Sequence, residues 1–151
     1  GPQHIEALSQ LVQGIPLPAG SRLDQNNWIC SSKACLKWQP EDKVPVVSPS
    51  DVSTLVDDVL DMETVSAPLI IDFTHLRDTD QLADALQELQ LMTDVPLIFR
   101  CHQEEIADAA LQAYHGRAGL LTSLEQASFR DRYGAYVVYC PDETAGAPMQ
   151  G

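Results

Sequence analysis

The stretch APLIIDFTHLRDTDQLADALQELQLMTDVPLIFRC, Ala67 to Cys101, decides the fold. APLIIDF and VPLIFRC are short apolar runs of one character, and between them Leu82, Leu86 and Leu89 recur at helical spacing. Strand, helix, strand is the reading, with Asp78 or Thr79 placed to cap the helix. Each run opens on a small or β-branched residue followed by proline, which a strand tolerates at its first position because the missing N–H need not join the ladder.

Working outward, VPVV at Val44 has the same opening. The three openings stand 23 and 28 residues apart, which leaves room for one helix and two short loops each time. Val52, Leu55, Val56, Val59 and Leu60 make the helical stripe of the first interval, with Ser50 as its N-cap. A third helix follows from about Gln103 to His115, with acidic residues in its first turn and Gly116 to stop it. Ala118 to Thr122 is a fourth strand, and Ser123 with Gln126 forms a capping box for a short helix closed by Tyr133-Gly134. AYVVYC is a last strand whose β-branched and aromatic content suits cover on both faces. The expected fold is a single α/β domain over residues 27–141. It is a three-layer architecture of the flavodoxin or receiver kind: a mostly parallel sheet of about five strands, helices on both faces and right-handed crossovers. Val46, Leu69, Ile71, Leu97, Phe99, Leu120 and Val137 are its expected core.

The flanks are simpler. Gly1-Pro2 reads as the scar of a cleaved tag. Residues 3–26 hold a short amphipathic helix, with Ile5, Leu8, Leu11 and Val12 in helical spacing, and a proline-containing connector from Ile15 to Gly20. Residues 142–151 have no apolar period and read as a disordered tail. NWIC and CLKW flank Ser31-Ser32-Lys33-Ala34 as two strands of a hairpin would, or else WIC is the first strand of the main sheet. In a hairpin, Cys30 and Cys35 face each other and would join in an oxidising compartment; otherwise they are two unrelated thiols.

Composition excludes several functions. In 151 residues, 44% are apolar and 21% charged, the usage of a folded domain. Twenty-two acidic side chains against nine basic ones leave a formal charge of −13, which repels phosphate backbones and anionic headgroups. Nucleic-acid and membrane-surface binding are disfavoured, and no run approaches the roughly 18 apolar residues that cross a bilayer. Another protein, docked through an acidic helical face, is the expected partner. Four cysteines are too few for a disulfide scaffold, so a reducing, cytoplasmic setting is expected.

Ligands of open parallel sheets and of (β/α) barrels bind beyond the carboxyl ends of the strands, where loops and helix N-termini converge. That rule selects Asp72, Thr74, His75 and Arg77 after the first run, and Arg100, Cys101, His102 and Glu104 after the second. Thr122 and Ser123 follow the fourth strand. Cys101 and His102 are adjacent and leave an extended chain on opposite sides, so they do not pair as nucleophile and base while the strand continues. Cys30, Cys35, Cys101, His102 and Cys140 lack the short ligand spacing of a zinc site. No G-x-G-x-x-G, G-x-x-x-x-G-K-[ST] or G-x-S-x-G occurs, and no catalytic residue, metal or cofactor is assigned.

LIIDF, a polar loop, a leucine-rich helix, VPLIF, a helix and AGLL together resemble a response-regulator receiver domain, from about Val44 to Ser123. That resemblance implies a phosphoryl-accepting aspartate at Asp72. The residues that should follow are missing: Arg100-Cys101 and Thr122-Ser123 stand where a Thr or Ser and a Lys belong, and no acidic pair is placed to hold magnesium. The implied protein is a degenerate receiver-like module, regulatory or scaffolding and not phosphorylated. VPLIFRCHQEEIADAALQAY, GLLTSLEQASF and YGAYVVYC also resemble the pterin-binding barrels of dihydropteroate synthases and corrinoid methyltransferases. This second resemblance implies a small-ligand-binding or enzymatic domain using the same rim, although the usual asparagine is absent near Thr122 and 151 residues do not close an eight-stranded barrel.

Overall fold

The computed structural model describes residues 27–62 and 68–142. The expected N-terminal helix and connector, the tag scar and residues 143–151 of the expected tail lie outside the described residues. Two short strands, β1 (Trp28–Cys30) and β2 (Cys35–Lys37), form an antiparallel hairpin. WIC therefore belongs to a hairpin and not to the main sheet. The main sheet comprises β3 (Val46–Val47), β4 (Leu69–Asp72), β5 (Leu97–Arg100), β6 (Gly119–Thr122) and β7 (Tyr136–Tyr139), all parallel and in sequential order. Between them run α1 (Leu55–Met62), α2 (Leu82–Met92), α3 (Glu104–Ala113) and α4 (Gln126–Tyr133), with a 3-10 turn (Val52–Thr54) leading into α1. The fold class is the expected one: α/β, with a five-stranded parallel sheet.

The second layer of cover differs in kind from the expectation. A sheet that adds each strand on the same side by right-handed crossovers carries all its helices on one face. The packing agrees. Across the sheet, Val47, Ile71, Phe99, Leu120 and Val137 stand in register. They share one core with Leu55 and Val59 of α1, Leu82, Leu86 and Leu89 of α2, Ile106 and Ala110 of α3, and Phe129 of α4. The opposite row runs Val46, Ile70, Ile98, Gly119, Tyr136. Ile98 of that row packs under Ile29 and Trp38 of the hairpin segment, with Ile70, Leu121, Tyr136 and Val138 half-buried around them. Among the described residues the helices thus lie on one face, and a β-hairpin serves the other.

Several backbone groups hold the hairpin down. Cys30 exchanges two backbone hydrogen bonds with Arg117, N to O at 2.8 Å and O from N at 2.9 Å. The Arg117 guanidinium, itself buried, donates from Nε to the Gly134 carbonyl at 2.8 Å and from Nη1 to that of Trp28. Burial lowers its pKa from the ordinary arginine value. Gly116 makes this approach possible, because a Cβ there would lie 2.0 Å from the Cys30 carbonyl oxygen. The expectation that Gly116 stops the third helix is displaced by this role: α3 already ends at Ala113, with Tyr114 extended. Cys30 and Cys35, cross-strand partners in the register, are joined as a disulfide.

Three caps and one core residue also move. Asp51, not Ser50, accepts the Ser53 N–H that opens the 3-10 turn. Gln81 precedes α2 in a left-handed conformation (φ 63°) and makes no side-chain cap bond, so neither Asp78 nor Thr79 caps it. Glu125 accepts from Ala127 N at the start of α4 in place of the Ser123 box, whereas Gly134 closes that helix in the left-handed region as expected. Val46 is 47% exposed and Val47 takes the core position. β7 is an edge strand with Val137 buried toward the helices and Tyr136 and Val138 half-buried on the other face, and only Tyr139 at its end is exposed, at 63%.

Candidate functional site

The residues expected along one rim divide among three places. Asp72 ends β4 in register with Arg100 at the end of β5, on the face served by the hairpin. Its carboxylate is turned to its own chain: Oδ1 accepts from Thr74 N at 2.9 Å and from Thr74 Oγ1 at 2.6 Å, an Asx turn that carries the strand into its loop. Asp72 is buried, Arg100 half-buried and His75 exposed. Burial, not sequence position, separates their roles.

Cys101 lies on the helix face, 1% exposed within the main core. Burial pushes its thiol up to about 11, so it is a poor nucleophile near neutral pH. His102 leaves the chain on the other side, as alternation requires, and joins Ser123: Nδ1 is 2.9 Å from Ser123 Oγ and accepts the Ser123 backbone N–H at 3.1 Å. An N–H can only donate, so Nδ1 carries the lone pair and Nε2 carries the proton of the neutral ring. That Nε2 is buried and has no hydrogen-bond partner among the described residues. Thr122 is fully buried, and its Oγ1 accepts the Leu124 N–H at 3.1 Å. Glu104 sits exposed in the first turn of α3, where the helix dipole favours a carboxylate.

Arg77 belongs to the third place, a groove of about 700 Å³. Its walls come from two carboxyl-end loops and the helices they open into. Asp51 and Asp57 stand on the 3-10 turn side; Asp78, Asp80, Asp84 and Glu88 stand on the side of α2. Among the described residues, six acidic side chains and one basic one, Arg77, thus line the groove. Asp51 is held below the ordinary carboxylate range by the Ser53 N–H, and Asp78 Oδ1 accepts the Asp80 N–H at 3.0 Å. Gln81, the one non-glycine residue at positive φ among the described residues, lies on this wall. Asp72, Arg100, His102 and Ser123 do not line the groove. Sequence reading missed it because its carboxylates come from residues 51–57 and 78–88, and only the parallel pairing of β3 with β4 brings the two loops together. The signal was present as acidic residues in two successive helix starts.

The arrangement defines a short list of chemistry. No group of three or more His, Cys, Asp or Glu side chains suited to a metal ion occurs among the described residues. No helix among them is long and apolar enough to cross a membrane. A scan against protein-family models, a search of curated proteins and a search of solved structures each return no match to this chain. What fold and site define is a sequential parallel α/β domain with a hairpin on its second face and an acidic groove at the carboxyl edge.

Proposed function

We propose that the protein is a non-catalytic regulatory or scaffolding module that binds another protein, and that the acidic groove between the 3-10 turn and α2 receives a lysine- or arginine-bearing segment of that partner. The observation that carries this is a groove of about 700 Å³ lined, among the described residues, by six acidic side chains and one basic one. Such a field attracts basic segments, speeds their encounter and repels phosphate-bearing ones. The test is capture of partners from a lysate with the native chain and with an Asp57→Asn, Asp80→Asn, Asp84→Asn variant. Partners retained by the native chain should be lost from the variant, and their retention should fall as salt rises. Equal capture by both proteins would end this reading.

A second reading has one observation in its favour. Sequential parallel strands with the helices on one face are also the arrangement within (β/α) barrels, where small ligands meet the carboxyl rim. It supports a small-ligand domain akin to the pterin-binding barrels, using Arg100, His102 and Ser123. Against it, the groove lies away from those residues, and the strand order never reverses to open the crevice of doubly wound sheets.

A cytoplasmic setting follows from the low cysteine count alone and stands against the Cys30–Cys35 bond, which suits an oxidising compartment. Alkylation of the protein as it leaves the cell, before any air oxidation, distinguishes the two. Two protected thiols at Cys30 and Cys35 place it in the oxidising one.

A further inference from the structure

The Cys30–Cys35 disulfide has no part in the acidic groove. It closes a loop that hydrogen bonds already close, and a crosslink adds least across so short a loop. Ser31 N donates to the Ala34 carbonyl at 2.8 Å, while Ser31 Oγ accepts from Ala34 N at 2.9 Å and donates to the Asp94 carbonyl at 2.6 Å. Cys30 is fixed separately, by its two backbone bonds to Arg117 and by the Tyr114 hydroxyl on its carbonyl. None of these bonds uses a sulfur. Cys30 and Cys35 are also direct cross-strand partners with Cα atoms 4.1 Å apart, the close spacing of a non-hydrogen-bonded pair. Joined or separate, the two sulfurs stay opposed.

We propose that Cys30–Cys35 is a reversible thiol–disulfide exchange centre, reduced by a dithiol and reoxidised by a disulfide-bearing partner while the hairpin stays seated. Strand alternation sets its surroundings. Ile29 and Leu36 pack toward the sheet, and Trp28, Cys30 and Cys35 form a cluster of their own, apart from both larger ones. Lys37 shares that side two residues beyond Cys35, with its Nζ 5.4 Å from the centre of the Trp28 ring. On a chain of formal charge −13, an ammonium there draws a thiolate to the pair. Cys35 is 8% exposed and Cys30 1%, so the incoming thiolate attacks Cys35 Sγ. The bond between the two cysteines breaks, a mixed disulfide forms at Cys35, and Cys30 Sγ leaves with the electron pair and takes a proton. The second thiolate of the dithiol then attacks the dithiol's own sulfur in that mixed disulfide, and Cys35 Sγ leaves and takes a proton in turn. The dithiol ends as a disulfide, oxidised by two electrons, and the protein holds two thiols. This centre is independent of the acidic groove and of any partner there.

The test uses the full chain in mixtures of reduced and oxidised dithiothreitol without denaturant, each mixture approached from the reduced and from the oxidised protein. Acid quenching, alkylation of the unfolded chain and peptide mapping then give the fraction of Cys30 and Cys35 still joined. Both directions should reach the same fraction, with hydrogen exchange at the amides of Cys30, Ser31 and Trp38 slow in both states. In single variants, oxidised glutathione should form a mixed disulfide with Cys35 of the Cys30→Ser protein several-fold faster than with Cys30 of the Cys35→Ser protein. Reduction only in denaturant, loss of the slow amides on reduction, end points that differ between the two directions, or faster reaction at Cys30 would overturn the proposal.

Discussion

The phenol of Tyr114 donates to the carbonyl of Cys30 at 2.9 Å, across 84 residues of sequence, and at the same time accepts the Leu97 N–H at 3.1 Å. One buried hydroxyl so ties the end of α3, the start of β5 and the disulfide of the hairpin. Burial raises its pKa above the ordinary tyrosine value, and the hydroxyl stays protonated and donating.

Tyr114→Phe removes that hydroxyl and leaves the Leu97 N–H without an acceptor in a dry position. An orphaned buried donor costs about 1–3 kcal/mol. Urea unfolding should show a loss of that size with an unchanged slope; a loss well under the lower figure would mean that the N–H finds another acceptor.

Reduction of Cys30–Cys35 should weaken the fold without releasing the hairpin. Closing so short a loop contributes about 2 kcal/mol in the chain-entropy account. Burial of Ile29 and Trp38 contributes about 1.5–3 kcal/mol for each side chain, and the bonds from Arg117, Tyr114 and Ser31 are added to that. Trp28, packed on the disulfide, should brighten when its neighbour is reduced, while Trp38 stays shielded from an added quencher. Full exposure of both indoles on reduction would show instead that the disulfide is the latch.

Alkaline pH should destabilise the protein through Cys101. Its folded thiol titrates at about 11, above the ordinary value of 9.0, because burial disfavours the thiolate. The unfolded chain therefore releases its proton first as pH rises. Stability attributable to this group is complete below about 9 and declines between about 9 and about 11. Chemical denaturation at pH 8, 9, 10 and 11, with Cys101→Ala for comparison, should show a shallower decline in the variant. Native Cys101 should also resist iodoacetamide at pH 8 until the chain is unfolded.

Asp72 should not accept a phosphoryl group. Its Oδ1 is engaged twice by Thr74, and aspartyl phosphorylation needs a divalent cation held by neighbouring carboxylates, a grouping that does not occur among the described residues. Incubation with acetyl phosphate and magnesium should leave the mass unchanged, and Asp72→Asn should retain the fold with a less ordered Thr74 turn. A gain of about 80 Da, one phosphoryl group, that disappears in the Asn variant would restore a working receiver.

The strand–helix rhythm was legible because it is local: the openings VPVV, APLIIDF and VPLIFRC and the leucine period of α2 report each segment's own period, and all five main strands lie where those periods place them. Leu69, Ile71, Leu97, Phe99, Leu120 and Val137 were legible as core for the same reason. The alternation of Cys101 and His102 to opposite sides was also readable from the chain. Val46 was not, because an all-apolar run such as VPVV carries no phase, and only pairing of Val47 with Ile71 sets which valine faces the helices. The seating of the hairpin on the sheet, the gathering of the helices on one face and the groove needed tertiary structure for one reason. Each depends on which strand pairs with which across many residues, and that choice is made by burial of the whole sheet, not by any segment's own period.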